Sequence, residues 1–258
     1  MNRTGLVAAL AIAAIVGVVF GVYPQLDLDI SLLFFDPASH KFNFGQHGWV
    51  LWARDAAYWS IAALAILCVC ALLGKLILPS RRMLVPGRAA VFLLVTLALG
   101  PGILANTILK DHWGRARPID VIQIGSDPFT PWWDFRAACR DNCSFIAGEP
   151  SGAFWTLAPA ALAPPQWRVL AYCGALAFGA AIGVLRIAAG GHFFTDVVFA
   201  GVFMYLLIWT VHGLMFRWQA TRITDAAIER PLASTGQAMR NAAAALARRF
   251  RGNPGKPS

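Results

Sequence analysis

Charged residues are scarce in this chain. Asp, Glu, Lys and Arg make up 14% of its 258 residues, where a soluble domain carries about 25%. With 58% of the chain hydrophobic, a water-soluble globule is excluded, and a helical membrane protein is the class that fits. No internal repeat marks a duplicated architecture. No small-x-small cleavage site follows the first apolar run at "VFGVYPQLD", so that run is read as an uncleaved helix and not as a removed signal peptide. Cysteine is sparse as well. Cys68, Cys70 and Cys173 lie inside apolar runs and read as small apolar residues. Cys139 and Cys143 have no nearby His or second Cys pair, which leaves too few ligands for zinc. A disulfide is favoured if their loop faces an oxidising compartment.

Long apolar runs are what the chain does have. About 20 residues span a bilayer, and six such runs can be placed. They are residues 5–23, 56–78, 89–109, a fourth from near 144–152 to 163, then 169–185 and 197–216. The predicted fold is all-α, a six-transmembrane bundle over residues 1–216 with a basic tail over 217–258. Lys75, Arg81, Arg82, Arg88 and Arg168 in short loops, and the eight basic residues of the tail, point to the cytoplasmic side. Both termini are then cytoplasmic. Residues 24–55, 110–143 and 187–195 face the other side, with "LDISLLFF" predicted as an interfacial helix. The tail is expected to be solvated, partly disordered and attracted to anionic inner-leaflet lipids; nucleic-acid binding is set aside, and the oligomeric state is not legible.

The loop after the third run breaks the charge rule. It carries Lys110, Arg115, Arg117, Arg136 and Arg140 on the outer side. Single cations there often serve as interfacial anchors, but the first three fall within eight residues, and a phosphate group is the natural anion for such a cluster. A second cluster, "RIAAGGHFFTD", joins the last two runs. Its His192 and Asp196 share one helix face at i, i+4, where a carboxylate would orient the imidazole as a nucleophile. Arg186 would hold an oxyanion. His112 reads as structural. Phosphoryl transfer needs mainly positioning and charge stabilisation, and these residues supply both.

The two clusters resemble the signature of the type 2 phosphatidic acid phosphatase superfamily, and "GPGILANTILKDHWGRARP" with "GGHFFTDVVFAG" is similar to its bacterial lipid A phosphatases. Lys110, six residues, then Arg117-Pro118 match the first family motif. Arg186, five residues, His192, three residues, Asp196 match the third, with Leu185 where the family has Ser. The resemblance covers residues 5–216. It implies an inner-membrane lipid phosphatase with a periplasmic site and no metal or other cofactor. In that reading His192 attacks phosphorus to form a phosphohistidine, Asp196 orients it, and Lys110, Arg117 and Arg186 bind the phosphoryl oxygens, with Arg115 beside them. The implied substrates are lipid A-like or undecaprenyl diphosphate-like lipids.

The second motif, Pro-Ser-Gly-His, is missing as such. In one register "PSGA" takes its place and Ala153 replaces the His that serves the family as general acid. In the other, favoured here, "SFIAGE" takes its place. Glu149 then stands in for that acid and Gly148 lets the backbone approach phosphate. The missing His keeps an alternative open: an altered protein of the same fold that binds or transports anionic lipid headgroups.

Overall fold

The computed structural model describes residues 2–135, 139 and 142–251. Arg136, Arg140 and the terminal "GNPGKPS" lie outside the described residues. Among the described residues the regular elements are all helical. In chain order they are α1 (Arg3–Val22), α2 (Gln25–Leu32), α3 (Gly48–Ile77), α4 (Gly87–His112), α5 (Gly148–Phe154), α6 (Leu157–Ala161), α7 (Pro165–Ala188), α8 (Phe194–Arg217) and α9 (Asp225–Arg251). Five of them, α1, α3, α4, α7 and α8, are long and apolar enough to cross a membrane.

The fourth expected span is not a single long helix. It folds as α5 and α6, broken at Trp155–Thr156. Pro159 explains the break, because it has no N–H for the Trp155 carbonyl four residues earlier. That carbonyl accepts from Ala158 N instead, at 2.8 Å. The pair is wrapped by the other helices, with Trp155, Leu157 and Ala158 buried. The Trp155 indole donates to Thr96 Oγ1 at 2.9 Å.

Small residues set the spacing around this buried element. The Phe154 ring lies on Gly179 of α7 and Gly201 of α8, and Gly183 faces Val197. A methyl group at Gly179 or Gly183 would overlap its neighbour. Close backbone approach of this kind drives helix association where lipid removes the hydrophobic term. The core that results includes Phe92, Phe145, Phe154, Trp155, Met204 and Ile208.

Two further expectations are refined. Helix α3 begins at Gly48 and not at Ala56, so Arg54 and Asp55 belong to a helix. The tail is helical to Arg251 and its first part is docked, while residues 237–249 stay exposed. Asp225 accepts from Arg88 N at 2.9 Å and Glu229 from Gly87 N at 3.2 Å, capping the start of α4. Gly236 lies against the Leu76 carbonyl, so α9 is docked on the ends of α3 and α4.

Candidate active site

The site forms where the ends of four segments meet. Helix α4 is wide from Ala98 to Leu109, with π-type turns around Pro101. The side chain of Asn106 donates to the Pro101 carbonyl at 2.6 Å. One turn on, Lys110 is half-buried at the helix end. After it, residues 142–144 run back along the loop: Cys143 N donates to Lys110 O at 3.3 Å and Ser144 N to Arg115 O at 2.7 Å. The Arg117 guanidinium donates twice to Asn142 O, at 3.0 and 2.8 Å. A Cys139–Cys143 disulfide closes this segment.

The nucleophile candidate sits on a turn built by glycine. Gly190 has φ +67°, a left-handed conformation that favours glycine, and its missing Cβ leaves room for the Phe42 ring. Gly191 has the Arg186 guanidinium directly against it, where any Cβ would overlap. His192 follows and is 2% exposed. Helix α8 then starts, with Asp196 accepting from Phe193 N at 2.9 Å.

His192 and Asp196 are not bonded to each other; Nδ1 and the carboxylate are 4.0 Å apart. Nδ1 is instead 2.8 Å from the Ser144 carbonyl. A carbonyl only accepts, so Nδ1 carries the proton and Nε2 keeps its lone pair. Ser144 Oγ in turn donates to Asp196 at 2.5 Å. Asp196 therefore reaches the imidazole through Ser144. Burial, and then the charges of Arg186 and Arg117, hold His192 well below the ordinary imidazole value of 6.5, so the ring is neutral at physiological pH.

Arg115 is corrected from the phosphate-binding set. It is fully buried, donates to Asp196 at 2.5 Å and to Asp27 at 2.8 Å, and lies over the Phe193 ring at 4.3 Å. Thr195 joins the network, its hydroxyl donating to Asp27 at 2.5 Å. Asp27 comes from α2, which turns Asp27 and Ser31 inward and leaves Leu26 and Leu32 exposed. A buried cation between two carboxylates ties α2, the loop and α8 together, and none of its donors faces an outside anion.

Glu149, not Ala153, meets the cations. Ala153 is buried against Ala57 and Ile182. The Glu149 carboxylate is gripped at both oxygens by Arg54, at 2.8 and 2.6 Å, and lies 3.7 Å from Arg186. Both oxygens are thus committed to cations, whereas a general acid would present a protonated oxygen to the leaving group. Gly148 beside it is packed against the Asn106 side chain. Arg54 had no signal in the sequence beyond a lone cation near a span end.

A cavity of about 570 Å³ opens onto this cluster. Arg54, Lys110, Gly148 and Glu149 line one part, and Ile61, Leu97, Pro101 and Ile182 line the rest. Its charged and apolar walls suit a molecule with an anionic head and a lipid body.

Residues 89–221 match the PAP2 superfamily model. The chain belongs to the PAP2 superfamily. Over 220 residues, 84% of this chain and 98% of the relative, it is 34% identical to the lipid A 4'-phosphatase of Francisella tularensis subsp. novicida (strain U112). It is 35% identical over 104 residues to the lipid A 4'-phosphatase of Rhizobium leguminosarum, covering 40% of this chain and 45% of that one. No solved structure gives a significant match. This PAP2 protein is thus a membrane lipid phosphatase, a phosphoric ester hydrolase. In PAP2 terms, the structure brings Lys110, Arg117, Arg186, His192 and Glu149 to one end of the bundle, and adds Arg54 and Ser144.

Proposed function

We propose that this phosphatase removes phosphate from a lipid A-like glycolipid through a phosphohistidine at His192. The observation that carries the reading is the neutral imidazole with a free Nε2 beside the charges of Arg186, Arg117 and Lys110. Nε2 attacks phosphorus as the ester P–O bond breaks, giving an N–P bond and a lipid alkoxide that takes a proton from solvent and departs as the alcohol. Water then attacks phosphorus and loses a proton to solvent, the N–P electron pair returns to Nε2, and phosphate leaves. Both transition states spread charge over the equatorial oxygens, where Lys110, Arg117 and Arg186 stabilise it. Ser144 and Asp196 keep the ring oriented.

The relatives' activity favours lipid A over the undecaprenyl diphosphate-like alternative. The basic short loops favour cytoplasmic termini and a periplasmic site in a bacterial inner membrane, with the sixth crossing made by α5 and α6. The exposed Arg240, Arg248 and Arg249 of α9 suit anionic inner-leaflet lipids. The test is phosphate release by purified protein across lipid A, undecaprenyl diphosphate, phosphatidylglycerophosphate and phosphatidic acid. Lipid A is expected to give the highest kcat/KM; binding of all four without release would instead support a headgroup-binding protein.

A further inference from the structure

We propose that Glu149 is a resident anion: its carboxylate occupies the phosphate cradle, and an incoming phosphate displaces it and takes over Arg54. The proposal rests on the phosphatase reading and deepens it. Arg54 becomes a substrate-binding residue, and Glu149 a built-in competitor.

Three features carry this. First, one carboxylate is the hub of the cationic cluster. Arg54, Arg186 and Lys110 surround Glu149, and Arg117 is within electrostatic range of it. Asp55, Asp111 and Asp120 act on Arg54, Lys110 and Arg117 from other sides, but Glu149 satisfies Arg186 only in part. Arg186 Nε is buried and makes no hydrogen bond, standing 3.7 Å from Glu149 Oε2. A phosphate dianion, with more oxygens and more charge, fits such a cradle better than a carboxylate does.

Second, the Arg54–Glu149 pair has a different setting from the Asp27–Arg115–Asp196 network. The buried network is sealed, and opening it would strand charges. Glu149 and Arg54 have side chains 41% and 27% exposed and both stand on the cavity wall. A pair open to the cavity can exchange its partner without stranding a charge in a dry interior.

Third, the carboxylate lies on the way in. His192 is almost fully covered and is not on the cavity wall, whereas Glu149 is on the wall and next to Arg186. Arg186 rests on Gly191, the neighbour of His192 in the chain. A phosphate moving from the cavity to the imidazole meets Arg54 and Glu149 first.

The experiment is titration of the detergent-solubilised full chain with inorganic phosphate by calorimetry, together with phosphate release from lipid A. E149Q and E149A are expected to bind phosphate about tenfold more tightly than the unaltered protein, because the competitor's charge is gone, and R54Q about tenfold more weakly. Equal or weaker phosphate binding by both Glu149 variants overturns the proposal, as does unchanged binding by R54Q, since Arg54 would then only anchor Glu149. These outcomes leave the phosphatase reading intact as long as the unaltered protein releases phosphate from lipid A. If the unaltered protein neither binds nor releases phosphate, the reading beneath the proposal fails with it.

Discussion

His192 is held by the backbone of Ser144, whose carbonyl lies 2.8 Å from Nδ1, while the same serine's hydroxyl is bonded to Asp196. One residue thus links the proposed nucleophile to the carboxylate that sequence spacing pairs with it directly. The backbone contact fixes the tautomer, and the side-chain contact fixes the backbone.

Ser144→Ala keeps the carbonyl and loses only the anchor. It is expected to lower kcat about tenfold with little change in KM, since a hydrogen bond to a charged group contributes about 1.5–3 kcal/mol. Steady-state kinetics on the lipid substrate decides it; an unchanged kcat shows that Asp196 does not act through Ser144.

Arg115 and Arg117 separate two roles within one motif. Arg115→Ala strands Asp27 and Asp196 in a dry interior, so a loss of about 3–5 kcal/mol is expected, read as a lower thermal midpoint in detergent. Arg117→Ala leaves the midpoint nearly in place and raises KM about tenfold or more. The reverse pattern would return Arg115 to the phosphate site.

The pH dependence follows from His192. Its folded pKa lies well below 6.5, and in the proposed reaction the neutral ring attacks, so activity is expected to persist below pH 6.5 and to be lost as pH falls through the depressed value. Arg117 helps to depress it. Arg117→Gln therefore moves the acid limb of kcat/KM to higher pH, toward 6.5. A limb that stays in place means that the ring does not titrate there.

Gly191→Ala tests how Arg186 is held. The new methyl overlaps the guanidinium, which must shift from the site. KM is expected to rise about tenfold while the protein still purifies as a folded species; unchanged kinetics would show that Arg186 binds phosphate from another position.

Much of the site was legible because it is local. Lys110 to Arg117 spans one loop, and Arg186 to Asp196 spans one turn, so fixed spacing brought out both clusters. The partners supplied by distant segments were not. Arg54 meets Glu149 across 95 residues, and a lone Arg at a span end looks like an interfacial anchor. Asp27 sits in a helix whose mixed composition suited the membrane surface, and its inward turn depends on Arg115 and Thr195, 88 and 168 residues away. Arg115 eludes the sequence for the same reason: its charge is visible there and its two buried counterions are not. Among the helices, the long apolar runs were legible by hydropathy. The α5–α6 segment reads as one continuous helix because its hydropathy does not show the break at Trp155. The docking of α9 rests on Asp225, Glu229 and Gly236, single residues within a tail dominated by basic charge.

The most direct test is acid-free quenching of the protein during turnover of lipid A carrying labelled phosphate, followed by mapping of the label. The account predicts acid-labile phosphate on His192, absent in His192→Ala, which releases phosphate at least about a thousandfold more slowly. Full turnover by His192→Ala, or label on a different residue, would contradict it.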